Sequence, residues 1–153
     1  MRALEPWVAG PLETFLAESA ARVVLVMTSA GQVVAQHGFT RSLDVMSAAA
    51  LGAGIMASTT EVAKIMGTPH FGALVHQGSR QGVFLSGFDT PRGRWIGLVV
   101  FGPETSVGLV QLFFDRLARE LAAAAPPAGE RGPVLAENFE RELNASLHAL
   151  FVR

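Results

Sequence analysis

Gly52-Ala53-Gly54-Ile55-Met56-Ala57 meets the spacing of a dinucleotide-binding turn, G-x-G-x-x-[GA], whose glycines admit a pyrophosphate between a strand and a helix. The surroundings do not suit that chemistry. The preceding run, Asp44 to Leu51, reads as helix, and Ala73-Leu74-Val75 stands where a ribose-binding acid is expected about 20 residues further on. A phosphate-cradling P-loop needs a Gly-Lys pair, and the only lysine, Lys64, follows Ala63, so the chain is not itself a GTPase or ATPase of that type. Neither G-x-S-x-G nor H-E-x-x-H occurs, and with no cysteine there is no thiolate nucleophile, disulfide or cysteine-held metal.

The remaining groups able to do chemistry are dispersed. His37, His70, His76 and His148 lack the i,i+4 pairing that puts two imidazoles on one helix face, and His76, in a strand beside a turn, is the best placed of them. Among the carboxylates, Glu137, Glu140 and Glu142 gather with Arg141 into what reads as a solvated helix face. No catalytic residue, metal site or cofactor is expected, and the reading is of a non-enzymatic binding module.

Composition narrows the partners. The chain has 153 residues, half of them hydrophobic and 16% charged, with a net charge of −1. That is one domain with a substantial core and apolar material to spare for a partner. It offers no cationic footprint for nucleic acid or anionic lipid. The start, MRALEPWVAGPLETF, breaks its apolar residues with Glu5, Pro6, Pro11 and Glu13, unlike a secretory signal, so a cytoplasmic protein is expected.

The elements that position these residues follow from periodicity. Pro11 to Ala20 reads as a first helix, and Arg22 to Thr28 with Gln32 to His37 as a hairpin turning at Ser29-Ala30-Gly31, glycine in the left-handed position. Ser42 to Met66 reads as a long helix capped by Ser42 and stopped by Gly67. Phe71 to His76 and Gly82 to Phe88 form a second strand pair, and WIGLVVF, Trp95 to Phe101, is apolar except at Gly97 and belongs mid-sheet. A helix capped by Thr105 or Ser106 follows, with Val110, Phe113, Phe114, Leu117 and Leu121 in one stripe. The order is α-β-β-α-β-β-β-α: a domain over residues 1–125, a linker over 126–133 (PPAGERGP) and an amphipathic helix over 134–153 carrying Leu135, Phe139, Leu143, Leu147 and Leu150.

The long helix is the unusual element, because Val45 to Thr60 carries no charge and is crowded with alanine and glycine. Apolar or small nearly all round, it is expected to be buried on two sides. Leu51, Ile55, Val62 and Met66 are expected to face the sheet, and Ala50, Ala53, Gly54 and Ala57, ending in Glu61 and Lys64, to meet a second protein. The uncharged stretch is shorter than the ~18 residues of a membrane span, so no insertion is expected.

This order of elements, with the hairpin Val23 to Gly38, HFGALVHQGSRQGVFLSGFD (His70 to Asp89) and LVVFGPETSVGLVQL (Leu98 to Leu112), resembles the Roadblock/dynein light-chain superfamily, particularly its bacterial MglB-like members. The resemblance covers roughly residues 11–125. It implies an α+β sandwich of profilin-like layout: a five-stranded antiparallel sheet with the long helix on one face and the first and third helices on the other. It also implies a homodimer in which the long helices pair and the strand Phe71 to His76, with Phe71 and Val75, continues the sheet across the two-fold axis. Such proteins regulate a small Ras-like (MglA-like) GTPase by ordering its switch loops. An arginine finger from Arg80, Arg92 or Arg94 is the alternative chemistry, away from which the resemblance points. A small-molecule or peptide sensor of PAS-like or profilin-like type is the rival function, and it requires an internal pocket.

Overall fold

The computed structural model describes residues 2–3, 6–38, 44–69 and 71–126. The expected linker from 127 onward and the helix 134–153, with Ser42, His70 and His148, lie outside the described residues.

Strand β1 (Arg2–Ala3) is followed by a 3-10 turn (Pro6–Val8) that runs into helix α1 (Ala9–Ser19). The helix begins two residues before Pro11, which sits within the first turn, where a missing N–H costs nothing. Ala20, in the left-handed conformation at φ 58°, ends it, its N–H donating to the Leu16 carbonyl. Strands β2 (Val23–Thr28) and β3 (Val33–Gly38) form the expected hairpin. The Thr28 N–H donates to the Gln32 carbonyl at 2.8 Å and the Gly31 N–H to the Thr28 carbonyl at 2.9 Å.

Gly31 takes φ +90°, and a Cβ there would lie 3.3 Å from the Ala50 Cα. Gly31→Ala combines the left-handed penalty of about 1–2 kcal/mol with a crowded backbone neighbour. The expected result is a fall in unfolding free energy of at least about 1 kcal/mol with the urea m-value unchanged; an equal midpoint would show the turn tolerates a side chain.

Helix α2 (Val45–Met66) follows, then β4 (Ala73–Gln77), β5 (Gly82–Thr90), β6 (Gly93–Phe101) and α3 (Val107–Ala124). The cap of α2 is Asp44 rather than the expected Ser42, and Gly67 at φ 66° stops it. Ser106 caps α3, its side chain accepting from the Leu109 N–H. All strand pairs are antiparallel, in the order β1-β3-β2-β6-β5-β4. The expected five-stranded sheet is present, with β1 added along β3 through Arg2 opposite Gln36 and Ala3 opposite Ala35.

Strand β6 lies between β2 and β5 with both faces covered, as a run with no polar side chain from Trp95 to Phe101 requires. On one face α1 and α3 seal a core containing Leu12, Phe15, Val24, Phe84, Val99, Phe114 and Leu121. On the other, α2 covers Leu25, Met27, Leu85, Ile96 and Leu98. Gly97 interrupts the apolar run of β6 because the Phe114 ring lies over it, in the place a Cβ would occupy. Phe15, Phe84 and Phe88 meet that ring edge-on, with centroids 6.2, 5.2 and 5.7 Å away. At one end of the sheet Trp7 stacks on Trp95 at 5.6 Å.

Candidate functional site

Helix α2 approaches the sheet through its small residues. Ala49, Gly52, Ala53, Met56 and Ala63 are buried, and a Cβ on Gly52 would lie 3.3 Å from Leu98 Cδ1 and 3.4 Å from Leu85 Cδ2. Small side chains let the helix axis descend until it meets the isopropyl groups of the strands, so shape matching sets the contact more than helix propensity does.

The expected facing of α2 is thereby corrected. Leu51, Ile55, Val62 and Met66 point away from the sheet and are 68%, 37%, 47% and 65% exposed; Ile65 is 85% exposed and Met46 70%. Of the residues expected to meet a partner, Ala53 lies at 7% exposure against the sheet instead. Ala50, Gly54 and Ala57 are exposed. Glu61 and Lys64 form an exposed ion pair at 3.1 Å, a contact that contributes little to stability.

The large exposed residues are not scattered. Leu51, Ile55, Val62 and Ile65, with the small polar Ser58 in the middle of the row, follow one another at alternating steps of four and three, the repeat of a seam between two paired helices. An apolar stripe of this kind on a domain surface marks an interaction site. Residue size is a misleading guide to facing here, and spacing alone does not decide it, since the buried Ala49, Ala53, Met56 and Ala63 keep the same repeat.

Phe71 and Val75 are part-exposed at 39% and 36%. Val75 is not brought onto the α2 side. Val75 stands opposite Phe84 of the α1/α3 core, whereas Leu74 stands opposite Leu85 beneath α2. The edge of β4 away from β5 has no strand beside it among the described residues.

At the start of the helix, the Asp44 carboxylate accepts from the Ser47 Oγ at 2.7 Å and the Ser47 N–H at 3.2 Å. These bonds, the hydroxyl's first, hold its carboxyl below the ordinary range. With the folded pKa depressed, the cap supports α2 above the ordinary aspartate range and is lost as pH falls through the lowered value.

Other candidate chemistry does not assemble. Gly52-Ala53-Gly54 lies inside α2, with no strand-to-helix turn to cradle a phosphate. His37 is half-buried on β3 and His76 exposed on β4, and no group of three His, Asp or Glu could hold a metal among the described residues. Arg80 is exposed in the β4–β5 turn, and Arg94 pairs with Asp89 at 3.0 Å across the β5–β6 hairpin beside Arg92. A groove of about 540 Å³ opens between β3 and the first turn of α2, lined by residues including Val33, Val34, Gln36, Val45 and Met46. It lies at the margin of the α2 layer rather than inside either core, where a sensor would enclose its ligand. Over its 22 residues α2 is long and apolar enough to cross a membrane. Its inner face, however, closes one of the domain's two cores.

No protein-family model matches the sequence, and no curated protein does. Solved structures match with high similarity. Myxococcus xanthus MglB superposes with a TM-score of 0.70 at 27% identity, covering 76% of this chain and 92% of that one. The gliding protein MglB from Thermus thermophilus gives 0.69 at 28% identity, covering 82% and 93%. A Roadblock/LC7 domain from Streptomyces avermitilis gives 0.59 at 15% identity, a likeness of fold alone. Matched over nearly the whole length of two MglB structures, the chain has a Roadblock-like fold and is similar to MglB.

Proposed function

We propose that this chain is a cytoplasmic, homodimeric, non-catalytic regulator of a small Ras-like GTPase of the MglA-like kind. The observation that carries the reading is the apolar seam of α2, Leu51, Ile55, Val62 and Ile65, exposed among the described residues. A second copy laying the same seam against it removes that surface from water, and the open edge of β4 is suited to continue the sheet between the two copies. Ala50, Gly54, Ala57, Glu61 and Lys64 then flank the paired helices as the rim that a GTPase would meet. In this reading residues 1–125 form the Roadblock-like unit, with 126–133 a linker and 134–153 an amphipathic helix.

Such a surface accelerates hydrolysis by ordering the partner's switch loops, because GTP hydrolysis depends on placing the attacking water and the charge-stabilising groups. The protein with a GTP-loaded MglA-like GTPase from the same cell is expected to form a complex and to raise single-turnover hydrolysis at least about tenfold, within the range such partners reach. No complex and an unchanged rate would overturn the reading. Arg80→Ala is expected to keep that acceleration within about threefold, whereas loss of an arginine finger costs roughly 10³ or more, and a drop of that size would make the mechanism catalytic in trans.

A further inference from the structure

Helix α2 carries a second outward row besides its seam. Met46, Ala50, Gly54, Ala57, Glu61 and Lys64 follow at steps of four or three, so they share one flank, and all are exposed. The β2–β3 turn lies against the start of that flank, where a Cβ on Gly31 would come 3.3 Å from the Ala50 Cα and 3.5 Å from the Ala53 Cβ. Beside this contact opens the groove of about 540 Å³ between β3 and the first turn of α2. Met46, 70% exposed, belongs both to its wall and to the flank.

The lining decides what the groove accepts. Val33, Val45 and Met46 give it apolar walls, and none of the described residues lining it is charged. A charged group entering it would lose hydration without gaining a counter-charge. Gln36 also lines the groove, and it stands opposite Leu25 of the α2 core, on this face of the sheet. Its Oε1 is buried and accepts no hydrogen bond, a state that polar atoms in folded proteins seldom keep. Turning the carboxamide towards the groove breaks no bond at that oxygen and lets it accept one from an arriving N–H or O–H. An apolar body with a donor at its tip describes tryptophan and tyrosine, side chains that often anchor protein interfaces. The exposed Met46 thioether is a polarizable surface suited to an aromatic ring.

We propose that the groove receives a tryptophan or tyrosine side chain of the GTPase that meets the α2 flank, with Gln36 accepting its hydrogen bond. In this assignment, which rests on the GTPase-regulator reading, the small residues Ala50, Gly54 and Ala57 let the partner approach closely, and the groove fixes its position along the helix.

Calorimetric titration of the full-length protein with a GTP-loaded MglA-like GTPase from the same cell tests the assignment. Met46→Glu puts a carboxylate in the first turn of α2, where a helix favours negative charge, so fold and self-association should hold. Affinity for the GTPase is expected to fall at least about tenfold. Met46→Ala, the milder variant, should weaken binding about threefold or more, and Gln36→Met, which keeps the length but not the acceptor, at least about fivefold. Gln111→Glu, exposed on α3 across the sheet, should change nothing. Without the GTPase, millimolar indole is expected to shift the amide resonances of Val33, Val45 and Met46, and N-methylindole, lacking the donor, to bind at least about threefold more weakly. A complex that keeps its affinity within about twofold in both Met46 variants, or no amide shift with indole, would overturn the groove assignment and leave the regulator reading standing. No complex with the unsubstituted protein would overturn both.

Discussion

Ile65→Glu is expected to convert the protein from a dimer into a folded monomer. Ile65 is 85% exposed, so the substitution removes nothing from either core, and the melting temperature of the dilute protein should hold. The effect falls on association, because a carboxylate at a seam position must be taken from water into an apolar helix pair. Truncating an anchor of an interface costs roughly 2 kcal/mol or more, and the unpaired charge adds to that, so the dissociation constant should rise at least about 100-fold. Sedimentation velocity across a concentration series measures it. Leu109→Glu, on the far side of the sheet, serves as the control and should leave the association unchanged. A dimer that survives Ile65→Glu, or an unsubstituted chain that is monomeric throughout the series, would remove the foundation of the proposed function.

The largest loss of stability is expected at Phe114. Its ring is 1% exposed, touches Phe15, Phe84 and Phe88, and lies over Gly97. Phe114→Ala deletes a buried ring among rigid neighbours and should cost about 3–5 kcal/mol. Gly97→Ala disturbs the same contact from the opposite side. It adds one methyl where the ring already sits, and overpacking of that kind costs typically about 1–3 kcal/mol. The two changes share a contact and should not add. With Phe114→Leu, which vacates part of the ring's space, Gly97→Ala should cost at least about 1 kcal/mol less than it does alone. Strict additivity in urea denaturation would mean that glycine is needed at position 97 for some other reason than the ring above it.

Much of the architecture is legible in local chemistry. Gly31 reads as a hairpin glycine because two valine-rich runs flank it, and it takes φ +90° there. WIGLVVF reads as a central strand because it has no polar face to turn towards water, and it lies between β2 and β5. The stripe on α3 reads inward correctly because the opposite side of that helix is charged. Helix α2 is different, since periodicity identifies an inner face only when the other face is polar. From Val45 to Thr60 no charge marks the outside, so residue size alone sends the large side chains to the core and the small ones to the surface, the reverse of what the close helix–sheet contact requires. Val75 presents a related difficulty. Alternation along β4 separates two faces but does not name them, and the register with Phe84 decides which is which. Strand β1 has only two paired residues, too few for any alternation to be visible.

That short strand also limits what the sheet can build. A free sheet edge is a bond-forming site, and a sheet with two of them is divalent, able to add copies without end. By pairing Arg2 and Ala3 with β3, the chain occupies part of one edge, whereas β4 has no strand along its outer side among the described residues. The two edges are then unequal, and a two-fold union of copies through β4 would use up the more open one. Two residues at the start of the chain thereby favour a closed pair over a growing fibre.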